Sequence, residues 1–144
     1  LHGPEQTKLW RRSYDIPPPP VETTSPEHPI NDPRYRLLNP SVLPATECLK
    51  DVVARVLPYW NDCVVPQLQE GLTVLLVAHG NSLRSLVMHL EAISTTDIAE
   101  LNIPTGVPKQ YTFNDDMTLK SAEYLGDAVA IQAAAKAVAT QAGA

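Results

Sequence analysis

The spacing of apolar residues divides the chain into segments of different period. Between Thr46 and Gly71, residues Leu49, Val52, Val53, Val56, Leu57, Trp60, Val64 and Leu68 recur at steps that are mostly three or four. That pattern predicts an amphipathic helix starting near Thr46-Glu47. Pro58 and Pro66 fall inside it. A proline lacks the N–H of the helical ladder and crowds the carbonyl four residues back, so a kink or break is expected near one of them. Gly71 ends the segment. Thr73 to Ala78 is an unbroken β-branched and aliphatic run, the pattern of a strand buried on both faces of a parallel sheet. After His79-Gly80-Asn81-Ser82, Leu83, Leu86, Val87 and Leu90 mark one face of another helix.

The flanking segments are read from punctuation as much as from period. Pro4 to Tyr14 reads as the end of a helix, with Lys8, Arg11 and Arg12 on one face by their i, i+3, i+4 spacing. Pro17 to Pro20 stop it and impose extended backbone. Residues 17–44 form a Pro-rich loop without period, and loops of that length are functional or disordered. Ser94-Thr95-Thr96-Asp97 resembles a capping box for a short helix through Leu101. Gln110 to Asn114 and Leu119 to Leu125 read as strands joined at Asn114-Asp115-Asp116. From Asp127 onward the chain is Ala-rich and helical by propensity. There is no internal repeat.

Composition narrows the function classes. The 144 residues fit one domain, and 44% hydrophobic with 19% charged residues is a soluble globular balance. A net charge of −5 excludes broad attraction to nucleic acid, so any anionic ligand must be held by a local cluster. The apolar run Val74 to Ala78 is too short to span a bilayer, and the start of the chain has no signal-peptide pattern. Cys48 and Cys63 stand on one helical stretch. Their separation is about 22 Å at 1.5 Å per residue, and a disulfide needs Cα atoms within about 7 Å. Unpaired thiols point to the cytoplasm. The chain opens on Leu1 rather than Met, which suggests a processed start or missing upstream sequence.

The candidate chemistry centres on His79. It stands at the carboxyl end of the predicted strand, where open α/β sheets bind ligands. Gly80 lets backbone approach closely, and the helix starting at Asn81 or Ser82 turns free N–H groups and its positive dipole end to the same spot. A histidine there can donate to a phosphoryl oxygen, move a proton or act as nucleophile. The alternative is a structural histidine, with Asn81 or Ser82 an ordinary cap. Arg11 and Arg12 form either a grip on a small dianion or a solvated basic patch paired with Glu5. His2 lies too near the end to interpret, His28 is expected to be solvated, and His89 reads as a surface or boundary residue. Glu47 is most simply a dipole-stabilising acid at a helix start. No CxxC, HExxH, Walker or GxGxxG pattern occurs, so neither a metal nor a nucleotide is expected.

Five stretches, taken in order, resemble the cofactor-dependent phosphoglycerate mutases of the histidine phosphatase superfamily. They are Leu9 to Asp15 with Pro17 to Pro20, Asp32-Pro33-Arg34-Tyr35, Val56 to Asn61, Ala78 to Arg84, and Leu101 to Pro108. The resemblance implies an α/β fold, a three-layer α/β/α sandwich around a mostly parallel sheet. It implies interconversion of 3-phosphoglycerate and 2-phosphoglycerate in glycolysis and gluconeogenesis, with 2,3-bisphosphoglycerate as cofactor and no metal. A phosphohistidine would carry the phosphoryl group, and a small phosphorylated three-carbon acid would be the substrate, with no nucleic acid or membrane partner. His79 maps to the histidine that stabilises the transferring group, Arg11 and Arg12 to the substrate-binding pair, and Gly80 and Asn81 to the phosphate-contacting turn.

The family's nucleophile motif, Arg-His-Gly, is not in this sequence, and neither is its general-acid glutamate before His-Tyr-Gly. Residues 1–144 are therefore expected to be the C-terminal part of a single mutase domain, lacking the N-terminal strand and leaving a sheet edge uncovered. Alone, the chain is expected to be inactive and poorly stable, while the complete enzyme would be a homodimer or larger assembly. The alternatives are a bisphosphoglycerate mutase or phosphatase, and a non-catalytic phosphate-binding or assembly module.

Overall fold

The computed structural model describes residues 2–142. Helix α1 (Gly3–Arg12) opens the chain, with Pro4 near its start where a missing N–H costs nothing. The long apolar pattern becomes α2 (Leu49–Tyr59), a π-turn (Trp60–Val64) and α3 (Val65–Gln69). This run begins two to three residues later than its pattern suggested. Its start is set by Asp51, whose Oδ2 accepts the Cys48 backbone N–H at 2.9 Å and the thiol at 3.0 Å. The prolines do not break the run. Between them the ladder widens, and the Val65 N–H reaches back to the Trp60 carbonyl, which absorbs the local mismatch as a π-bulge does.

Helix α4 (Gly80–Leu90) packs on α2. Leu49, Val52 and Ile98 form one buried cluster, flanked by Tyr14, Val56 and Met88. Trp60, Val64 and Leu86 form a second, flanked by Leu68, Val74, Leu76 and Phe113. Each large aliphatic side chain taken from water contributes about 1.5–3 kcal/mol, so these two clusters carry the helical half of the molecule.

The sheet differs from the expected parallel sandwich. Strands β1 (Lys109–Phe113) and β2 (Leu119–Tyr124) pair antiparallel with each other, and they are the one sheet among the described residues. Thr73 to Ala78 is extended but sits in no ladder. A parallel ladder needs a neighbouring strand about 4.8 Å away, and the described residues supply none there. The side chains alternate instead: Val74 and Leu76 turn to the second cluster, while Leu75 and Val77 are 82% and 87% exposed. The broad class, mixed helix and strand, stands; the parallel three-layer arrangement does not.

The hairpin is tied to α4 by one carboxylate. Glu91 Oε1 accepts from the Tyr111 hydroxyl at 2.6 Å and pairs with Lys109. Burial, and then the Glu91 carboxylate, hold the Tyr111 phenol well above its ordinary pKa, so it remains a donor. Helix α5 (Ala128–Ala142) ends the chain where propensity placed it, with Asp127 Oδ1 accepting the Ala130 N–H.

Residues 17–44 are ordered by a repeated device. Three 3-10 turns start at Pro29, Pro33 and Pro40, each preceded by a residue (His28, Asp32, Asn39) whose side chain accepts the N–H two positions on. His28 is 4% exposed rather than solvated, because its Nδ1 takes the Ile30 N–H. Thr46 Oγ1 donates to the Pro18 carbonyl and the Val21 N–H to the Ala45 carbonyl, closing the loop at its base. The Ser94–Asp97 reciprocal pair also forms, but it opens a single 3-10 turn (Asp97–Glu100). Both cysteines are free. Among the described residues no helix is long and apolar enough to cross a membrane.

Two outcomes follow from this packing. Amides of residues 73–78 are expected to exchange with solvent at near-unprotected rates while those of α2 are protected, read by hydrogen exchange. Glu91→Ala is expected to lower stability by about 1–3 kcal/mol by leaving Lys109 and Tyr111 without their shared partner, measured by thermal or urea unfolding.

Candidate anion site

His79 occupies the junction between the extended segment and α4. Its backbone is extended (φ −62°, ψ 148°), and its Nδ1 accepts the Asn81 N–H at 3.3 Å, capping the helix. That bond fixes the neutral tautomer: Nδ1 is the acceptor, so Nε2 carries the proton and remains as a donor. The next turn of α4 carries Asn81, Ser82 and Arg84, and all of these face a cavity of about 260 Å³. The end of α1 supplies Trp10, Arg11 and Ser13 to its wall, Glu47 and Cys48 come from just before α2, and Arg55 from within it. Three segments distant in sequence therefore converge on one hollow.

The five residues singled out from sequence are divided by this geometry. His79, Asn81 and Arg11 line the cavity. Gly80 does not, and a Cβ built on it would meet no other part of the protein within 4 Å; its part is to join two residues that do. Arg12 also departs from expectation. Its Nε donates to the Ala99 carbonyl at 2.9 Å, and its Nη2 to the Leu101 carbonyl and Asn102 Oδ1 at 2.9 and 2.8 Å. It lines a second hollow with Lys8, one turn earlier on α1. Three short bonds to neutral acceptors make Arg12 the clamp of the 97–102 segment, so the adjacent arginines do not grip together.

Arg84 was not among the predicted site residues. It is 5% exposed and carries four hydrogen bonds: Nη1 to the Arg11 carbonyl and Asn81 Oδ1, both at 3.3 Å, and Nη2 to the Arg12 and Ile98 carbonyls at 3.2 and 2.7 Å. Its Nε is buried without a partner. Burial, and then the nearby charge of Arg12, push its pKa down to about 10, still cationic at neutral pH. The sequence did hold a signal. Arg84 stands three residues before Val87 on α4, so a charged side chain falls on the apolar face.

The charge at this junction is one-sided. Burial lowers the Arg12 pKa, Glu100 opposes that, and Arg11 adds to it. The nearest cavity carboxylate, Glu47, is already held by Arg55 through bonds of 2.6 and 3.1 Å. The Cys48 thiol is pushed up, first by burial and then by its bond to Asp51, and is no nucleophile at neutral pH. The cavity thus offers an imidazole N–H, an amide and guanidinium groups, which together suit a small anion.

The division of the arginines has a direct check. Arg12→Lys is expected to lose the three-acceptor clamp and about 1–3 kcal/mol of stability, whereas Arg11→Lys leaves thermal unfolding nearly unchanged. Parallel melts of the two variants decide it.

A protein-family model described as the histidine phosphatase superfamily (branch 1) matches residues 21–120 of the chain. The match takes in the extended segment, His79, Asn81 and Arg84 and begins after Arg11 and Arg12.

Proposed function

We propose, since this chain belongs to the histidine phosphatase superfamily (branch 1), that the cavity beside His79 binds the phosphoryl group of a small phosphorylated acid. Membership in the superfamily, which includes phosphatases and mutases, suggests phosphoryl-transfer chemistry. The finer reading is that of a phosphoglycerate mutase, with 3-phosphoglycerate and 2-phosphoglycerate as the exchanged pair and 2,3-bisphosphoglycerate as the priming cofactor. One observation carries it: His79, Asn81 and Arg11, drawn from two distant segments, line a single cavity whose cationic groups have no free carboxylate partner there.

The fit to such a ligand can be judged from the donors. A phosphoryl group in transfer spreads charge over its equatorial oxygens, and the protein's main task is to meet them with fixed donors. The His79 Nε2–H suits one oxygen, since Nδ1 is already occupied and the ring cannot turn without losing its cap. Arg11, exposed at the end of α1, supplies a mobile bidentate fork for a phosphate or carboxylate. Asn81 offers an amide. 2,3-Bisphosphoglycerate, when bound, supplies the phosphoryl group that primes the reaction. In this reading the histidine that carries the phosphoryl group lies outside these 144 residues, while His79 steadies the group in flight and Arg11 holds the acid. Arg12 supports the wall rather than touching the ligand.

Trp10 lines the cavity and makes a natural fluorescent reporter. Titration with 3-phosphoglycerate is expected to be saturable, and Arg11→Met to weaken it at least tenfold, about 1.4 kcal/mol. Glycerate without the phosphoryl group should not compete. In an enolase-coupled assay the 144-residue chain alone should produce no 2-phosphoglycerate. Substantial turnover would refute the assignment of the phosphoryl-carrying group to another part of the protein.

A further inference from the structure

Arg84 lines the cavity yet has little left to offer a ligand directly. All four Nη protons have protein acceptors: the Arg11, Arg12 and Ile98 carbonyls and Asn81 Oδ1. The same nitrogen, Nη1, serves both the Arg11 carbonyl and the Asn81 amide, each at 3.3 Å. Those are the two residues that bring the end of α1 and the first turn of α4 to the cavity. Guanidinium protons can only donate, so the amide atom facing Arg84 must be the oxygen. The NH2 half of Asn81, with its two donors, is then left for the cavity.

We propose that Arg84 is the positioning residue of this site: it orients the Asn81 amide with its donors toward the ligand and sets the α1 end bearing Arg11 against it. The inference rests on the cavity being a phosphate site and adds how that site is assembled. Without Arg84 the Asn81 amide has no reason to prefer one face, and an outward oxygen would repel a phosphate. The acceptors of Arg84 are neutral carbonyl and amide oxygens, so its buried charge also adds positive potential at the cavity without touching the anion.

The test uses the 144-residue chain and inorganic phosphate, titrated by calorimetry and by Trp10 fluorescence. Arg84→Lys keeps the charge but not the fork, and is expected to weaken phosphate at least tenfold. Asn81→Ala should do the same. In the double variant the loss should fall well short of the product of the two single losses, because both changes remove the shared Arg84–Asn81 interaction, and any loss beyond Asn81→Ala alone reports the placing of Arg11. Full additivity, or unchanged binding by Arg84→Lys, overturns the proposal.

Asn81→Asp gives a second decision that leaves Arg84 in place and holds even if Arg84→Lys fails to fold. A carboxylate has acceptors on both sides, so it should strengthen the bond to Arg84 and turn an acceptor to the ligand. The expected signature is a melting temperature at or above that of the unmodified chain together with a loss of phosphate binding. A melting temperature well below that of the unmodified chain argues against the Arg84–Asn81 contact, and retained binding by Asn81→Asp overturns the proposal. If the unmodified chain binds no phosphate, the phosphate-site reading falls and takes this inference with it. Binding by the unmodified chain with additive losses removes the Arg84 assignment alone.

Discussion

A buried guanidinium holds this molecule's two ends of chemistry together. Arg84 enters the interior from α4 and binds carbonyls at the close of α1 and in the 97–100 turn. Burying a cation is costly unless its donors are matched, and here the four Nη protons each find an oxygen while Nε alone goes without one. The match works only when α1, α4 and the 3-10 turn stand in one arrangement. Arg12 reinforces that arrangement from the other side by clamping the same turn and its continuation to Asn102. The cavity is what remains between elements so fixed.

Catalytic sites of this kind depend on donors that do not reorganise as charge moves. His79 meets that condition through its cap on α4, which settles its tautomer and aims the free nitrogen. The match to the histidine phosphatase superfamily takes in this capped histidine and the helix that follows it. Glu47 and Arg55 also line the cavity, and their mutual pairing leaves its positive character to Arg11 and Arg84.

Much of the helical frame was legible because it depends on local rules. The three-and-four spacing from Leu49 to Leu68, the capping pair at Ser94 and Asp97, the hairpin and the Ala-rich tail are each set by neighbours in sequence. The misreadings share a different cause. Thr73 to Ala78 has the composition of an interior strand, but a ladder is a property of two strands, and a sequence segment cannot report whether its neighbour is present. His28 looked solvated because its loop is polar, while the Pro29 turn folds the ring inward onto the Ile30 N–H. Arg11 and Arg12 read as a pair because they are adjacent, although about 100° of helical rotation separates their side chains and sends them to different hollows. Arg84 was hidden by its motif, where attention fell on His79 and the glycine beside it.

The extended segment before His79 carries a consequence for what stability means in this protein. Its backbone groups from Thr73 to Ala78 enter no ladder, and Leu75 and Val77 face outward. Any strand laid beside it would bind the folded state and not the unfolded one. The free energy of folding would then rise with the concentration of that strand by mass action, roughly 2.7 kcal/mol at a hundredfold excess over its dissociation constant. Because the segment runs directly into His79, the same linkage would reach the cavity beside it. The order of that cavity would be a joint property of the chain and of whatever lies along its open edge.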